Sequence, residues 1–256
     1  MMLKKVPVLL YHHVNPQGFN TVKPTLFETH IAHLKKRGYT GITFRRILTH
    51  DILPEKPVVI TFDDGYDTIF CHALPILEKY AFKAVVFMLS GYIGKKNTWD
   101  LSLEPSGIRH LNQEELTELS KHGWEIAAHS LSHHPLTCMS LEQAKYEIEK
   151  SGAILEDLLN MPTDGFAYPF GRFNNSLKKI VQQSGYHYAC GALKRHQLPE
   201  TCYELVRIPV YRIDGIRTLE KKLSYPQIPY DEFLKLKAIS SLSKLTPVYQ
   251  AISKKR

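Results

Sequence analysis

The chain has 256 residues, 43% of them hydrophobic and 23% charged, the balance of a folded globular protein rather than a disordered or fibrous one. No apolar run approaches the ~20 residues a membrane-spanning helix needs, and the length suits one large domain. Against 25 Asp and Glu stand 33 Lys and Arg, a net charge of +8 that favours anionic surroundings such as phosphorylated sugars, nucleic acid or a membrane face without choosing among them.

The N-terminus, "MMLKKVPVLLYHH", places two lysines before apolar residues. Its apolar run is about six residues, short of the ~7–15 of a secretory leader, and no small-residue cleavage site follows. It reads as the first strand, "VPVLLY" (6–11), and the expected setting is the cytoplasm. That strand runs into two adjacent histidines, His12 and His13, which must point to opposite faces. A helix over "TLFETHIAHLKKRG" follows, with Thr25 and Glu28 as an expected capping box and Gly38 as its stop.

Strands are then expected at "YTGITF" (39–44), "PVVITF" (57–62) and "KAVVFML" (83–89). Residues 91–110 form the one long loop, a substrate-side insertion. "NQEELTELSKHG" is a helix capped by Asn112 and ended at Gly123, followed by the strand "WEIAAH" (124–129). A helix starting at Ser140, with Gln143 in the reciprocal position, leads to the strand "DGFAYP" (164–169). "NNSLKKIVQQSG", ending at Gly185, leads to "YHYACG" (186–191) and then "ELVRIPV" (204–210). Beyond residue 213 the chain is expected to add a short, basic helical extension to the 1–212 unit. The four cysteines form no CxxC pair and read as free thiols.

Strands alternating with helices, several of them near-continuous Val/Ile runs, imply a parallel sheet covered on both faces. Eight of them suit a closed or nearly closed barrel, and such barrels place working residues at the C-terminal ends of strands. The first strand ends in His12, the third in "ITFDDGYD" with Asp63 and Asp64, the fifth in "AAHSLSHHPL" with His129, His133 and His134. Two imidazoles three intervening residues apart plus a carboxylate make a divalent-metal set with open positions for water. A second carboxylate off the metal could take a proton from that water.

At these residues the sequence resembles the polysaccharide deacetylase family, carbohydrate esterase family 4. "TFDDG" (61–65) matches the family's first motif, and "HSLSH" (129–133) its H-[S/T]-x-x-H motif, with Leu136 at the leucine that follows. The resemblance runs from about residue 6 to 212. It implies a distorted (β/α) barrel of seven or eight mostly parallel strands. It further implies Asp63 as catalytic base and Asp64, His129 and His133 as ligands of one divalent ion, zinc by expectation with cobalt or nickel as alternatives. Ser130 would fix the ligand loop, and His134 is the rival to His133, because some biofilm poly-N-acetylglucosamine deacetylases space their histidines one residue wider.

Two family motifs are altered. The usual Arg-Pro-Pro-Tyr-Gly is "AYPFG" (167–171), with Ala167 in the arginine's place and Phe170 in that of the tyrosine whose backbone N–H helps hold the oxyanion. Arg207 is the candidate replacement for the arginine. The late Leu-x-His, source of the general acid, is absent. A branch including the biofilm deacetylases looks circularly shifted, with the acid after an aromatic residue at the end of the first strand; "LLYHHV" fits, which makes His12 the acid and leaves His13 structural.

The resemblance thus implies removal of an N-acetyl group from an amino sugar in a saccharide, with release of acetate. Tyr66, Tyr92, Trp99 and Tyr168 are candidate sugar-stacking rings. The alternatives are deformylation or other C–N hydrolysis on the same scaffold, and a catalytically silent saccharide-binding protein. Nucleic acid is not an expected partner, since no recognition motif accompanies the charge. The basic C-terminus could dock on an anionic membrane. Oligomeric state is not legible.

Overall fold

The computed structural model describes residues 5–17, 21–50, 52–98, 108–192 and 198–242. In chain order the strands are β1 (Val8–Tyr11), β2 (His13–Val14), β3 (Thr21–Val22), β4 (Thr40–Ile42), β5 (Pro57–Phe62), β6 (Val85–Met88), β7 (Glu125–Ala128), β8 (Gly165–Ala167), β9 (Tyr188–Gly191), β10 (Leu205–Val206) and β11 (Ile208–Pro209). The helices are α1 (Pro24–Lys36), α2 (Phe44–Thr49), α3 (Leu74–Lys79), α4 (Gln113–Lys121), α5 (Leu141–Leu159), α6 (Asn175–Gln183), α7 (Ile216–Leu223) and α8 (Tyr230–Leu242).

Eight strands follow one another in a parallel sheet, β10-β9-β8-β7-β6-β5-β1-β11. β4 lies beside the first half of β5 (Ile42 opposite Val59), and β6 takes over that edge for the second half (Thr61 opposite Val85). The two ends of this path are one piece of chain. Leu205 and Val206 pair with Cys190 and Gly191 of β9, whereas Ile208 and Pro209 pair with Leu9 and Leu10 of β1. The expected single strand 204–210 therefore changes partner at Arg207 and draws the sheet into a nearly closed, distorted (β/α) barrel.

Period-two alternation sorts the strand residues into two cores. Val8, Val59, Val85, Phe87, Ala127, Ala167, Tyr188, Cys190 and Leu205 fill the barrel interior. Leu9, Tyr11, Ile60, Phe62, Val86, Met88, Ile126, Phe166 and Ile208 pack outward against the helices. The inward parity continues past the strand ends to His12, Asp63, His129 and Arg207, which aims these side chains into the C-terminal mouth. His13 has the outward parity of Tyr11. It is buried, stacked on Tyr66 at 3.7 Å between ring centroids, and held near neutrality by burial, which lowers its pKa to about 3.

The capping boxes at Asn112/Glu115 and Ser140/Gln143 form. The one expected at Thr25/Glu28 does not. Helix α1 starts at Pro24, whose fixed φ and missing N–H suit a first turn, and Glu28 meets Lys79 at 2.6 Å instead. The strand expected over 39–44 is shorter, because the Thr43 hydroxyl accepts the Arg46 N–H and begins α2. A helical stretch over 69–79, wide at Ile69–Ala73 and regular in α3, replaces an unassigned segment.

Beyond the barrel, α7 packs on α1 and α8 on α7. Lys222 of α7, with a fully buried side chain, donates to Asp214 at 2.5 Å and to the Pro209 carbonyl, and His30 of α1 donates to the Asp214 carbonyl at 2.7 Å. Of the basic C-terminus expected to dock on a membrane, residues 243–256 lie outside the described residues. No helix among the described residues is long and apolar enough to cross a membrane. The four cysteines are free, Cys71 and Cys138 exposed.

Candidate active site

The turn after β5 brings both acids to one place. Adjacent strand residues would diverge, but Asp64 takes φ 68°, folding its side chain back into the mouth that Asp63 already faces. Gly65 follows at φ 69°, where a Cβ would lie 2.1 Å from Met88 Sδ, so any side chain there would be strained and would have to displace Met88. Six non-glycine residues with positive φ occur among the described residues, and four of them (Asp64, Ser130, His133 and Phe170) line this rim. Each such conformation costs about 1–3 kcal/mol and persists only where the surroundings impose it.

Asp64, His129 and His133 are buried and present one donor atom each, all within 4.8 Å of one another. Asp64 Oδ1 lies 3.6 Å from Nε2 of both His129 and His133. Donors about 2.0–2.1 Å from a common tetrahedral centre are about 3.4 Å apart, so this set fits one divalent cation. His129 donates from Nδ1 to the Ala167 carbonyl at 2.8 Å, which turns Nε2 towards the cluster. Burial lowers the His129 pKa to about 4, and burial with His129 as neighbour holds His133 well below its ordinary value. Both rings are therefore neutral, the form that binds metal.

The ligand loop is tied at several points. The His133 N–H donates to Ser130 Oγ at 3.1 Å, and the Ser90 N–H to the Ser130 carbonyl at 3.2 Å. Glu147 of α5 accepts the N–H groups of Leu131 and Ser132 at 2.9 and 3.0 Å and the Ser132 hydroxyl at 2.6 Å. Sequence reading missed Glu147, since nothing in a helical run marks which carboxylate faces a loop. His134 turns to Ser132, with Nδ1 2.8 Å from Oγ, and is not part of the cluster.

Asp63 faces Arg207. The guanidinium, buried at the point where the closing segment changes partner, donates from Nη2 to Oδ2 at 2.8 Å and from Nη1 to Oδ1. Phe87 supports it, 5.0 Å from ring centroid to Cζ. Burial alone would raise the Asp63 pKa; the Arg207 charge and hydrogen bonds outweigh it and hold the carboxyl below its ordinary value. His12 lies one step beyond the Tyr11–Phe62 pair and so beside Asp63 along the rim, where its charge acts on Asp63, His129 and His133. Phe170 sits at φ 58° with its ring 4.5 Å from that of His133.

The sugar-stacking rings need correction. Tyr66 is buried and stacked on His13 at 3.7 Å and on His110 at 4.7 Å. Tyr168 is buried, stacked on Phe173 at 4.9 Å, with its hydroxyl donating to the Tyr203 carbonyl at 3.1 Å. Neither offers a face to a ligand. Tyr92 leans on His110 at 5.3 Å, and Trp99 lies outside the described residues.

The parallel barrel thus carries at its C-terminal mouth a buried carboxylate–imidazole cluster able to hold a divalent cation, with a second carboxylate paired to arginine. The chain belongs to the polysaccharide deacetylase family, whose sequence model matches residues 50–189. It is 32% identical over 201 residues to YxkH of Bacillus subtilis, named as a polysaccharide deacetylase, covering 75% of this chain and 68% of that one. It is 28% identical over 180 residues to a poly-beta-1,6-N-acetyl-D-glucosamine N-deacetylase of Staphylococcus aureus, covering 66% of this chain and 60% of the relative. Among solved structures, the Streptococcus pyogenes deacetylase PplD superposes with TM-score 0.72 at 23% identity, over 86% of this chain and 98% of that one, a likeness of fold.

Proposed function

We propose that this protein is a metal-dependent N-deacetylase acting on an amino sugar within a saccharide, releasing acetate and a free amine. The observation that carries this reading is the pairing of one buried Asp/His/His cluster with a separate carboxylate, Asp63, engaged by Arg207. The staphylococcal relative, named for N-deacetylation of poly-N-acetylglucosamine, supports the substrate class. Asp64, His129 and His133 would hold the cation, and two imidazoles with one carboxylate suit zinc, with cobalt and nickel as functional substitutes. When bound, such an ion makes water a stronger acid and polarises an acyl oxygen.

The protein groups supply the rest. Asp63 receives the proton of the attacking water, and Arg207 fixes the plane of that carboxylate. The backbone N–H of Phe170 donates to the developing oxyanion, a role that needs the amide and not a ring hydroxyl. His12 protonates the departing nitrogen.

Acetate release from N-acetylglucosamine oligomers, measured with zinc and after chelation, tests the reading. Zinc-dependent acetate release is expected. Formate release from N-formyl sugars alone would favour the deformylase, and oligosaccharide binding without either product would favour a silent binding protein. His12→Ala is expected to lower kcat by about 10²–10⁴-fold with zinc affinity unchanged, since the residue is not in the cluster. Near wild-type turnover would remove His12 from the acid role.

A further inference from the structure

The turn that carries Asp64 is strained, and one segment far away in sequence holds it. Residues 109–111 lie antiparallel against 64–67 through the bridge of His110 with Tyr66, while Arg109 bridges separately to Lys96. The Leu111 N–H donates to the Gly65 carbonyl at 2.8 Å and the Asp67 N–H to the Arg109 carbonyl at 3.0 Å. Between these two bonds the His110 side chain reaches the turn itself, with Nδ1 2.8 Å from the carbonyl oxygen of Asp64. A carbonyl only accepts, so Nδ1 carries the proton.

We propose that His110 is a positioning residue for Asp64, fixing the left-handed turn, and with it the carboxylate, through the Nδ1–H bond to the Asp64 carbonyl. This rests on the reading of Asp64 as a metal ligand. A further observation supports it. The ring is fully buried and stacked against Tyr66, which is itself stacked on His13, so its orientation is set by packing. A buried polar ring costs stability unless its hydrogen bond is made; for filling space alone, phenylalanine would serve. Outer-shell groups that orient a ligand typically contribute 10–100-fold to metal affinity.

The test is calorimetric titration of metal-free full-length protein with zinc chloride, for wild type, His110→Phe and His110→Asn, alongside the melting temperature of each metal-free protein. The Phe variant keeps the stacked ring and loses the donor; the Asn variant keeps an N–H donor and loses the stack. His110→Phe is expected to weaken zinc binding at least tenfold, with His110→Asn retaining more affinity than Phe even if it melts lower. Zinc binding by His110→Phe within twofold of wild type overturns the proposal, as does an Asn variant that falls as far as Phe. Should the Phe variant fail to fold, a tenfold loss in the Asn variant alone overturns it. A wild-type protein that takes up no zinc overturns the metal reading on which the proposal stands, an outcome distinct from unequal or equal binding among the variants.

Discussion

Asp63→Asn is expected to lower kcat for acetate release by about a thousandfold, within the 10²–10⁴ that a general base contributes, while zinc affinity changes by less than threefold. The asparagine amide has the shape of the carboxylate but no basic oxygen. The cluster atoms belong to Asp64, His129 and His133, which the substitution leaves in place. Zinc titration and initial rates on one preparation separate the two effects. Parallel loss of metal and turnover would mean that Asp63 is itself a ligand, its Oδ2 being only 3.8 Å from His129 Nε2.

Arg207→Met should affect both stability and activity. The guanidinium is the partner of a fully buried carboxylate, and removing one member of such a pair costs about 3–5 kcal/mol because the other charge is left without compensation. Without Arg207, burial is the dominant influence on Asp63 and favours its protonated form, so the base is lost as well. A fall in kcat of about 10²-fold or more should therefore accompany a clear drop in the urea midpoint. The double variant Asp63→Asn/Arg207→Met is expected to be more stable than Arg207→Met alone, since no buried charge remains unpaired. Additive losses in the double variant would contradict the pairing.

Much of this was legible in the sequence because strand ends are strongly marked. Near-continuous Val/Ile runs stop at "DDG" and "HSLSH", and parallel barrels use those ends, so the two aspartates and the histidines could be read onto one rim, with the family resemblance singling out Asp64, His129 and His133. A closed or nearly closed barrel is what eight strands suit, but the way the sheet closes was not legible. "ELVRIPV" has the pattern of an ordinary strand, and only three-dimensional pairing reveals that its halves belong to different neighbours, with Arg207 at the junction. The aromatic rings misled for a related reason. Tyr66 and Tyr168 follow strand ends, as ligand-facing rings would, but their exposure is decided by His13, His110 and Phe173 from other segments. The capping box at Thr25 failed because a proline one position earlier is a stronger start signal than a hydroxyl. His110 had no signal at all, lying 46 residues from the carbonyl it contacts.

The central claim is that Asp64, His129 and His133 grip a single cation while Asp63 stays with Arg207. Anomalous diffraction at the zinc edge, from crystals grown with zinc chloride, tests it most directly. One strong peak is expected within about 2.0–2.2 Å of an Asp64 oxygen and of the Nε2 atoms of both histidines, with the Asp63–Arg207 contact preserved. A map with no peak at that mouth under saturating zinc, or with its peak on other side chains, would contradict the account.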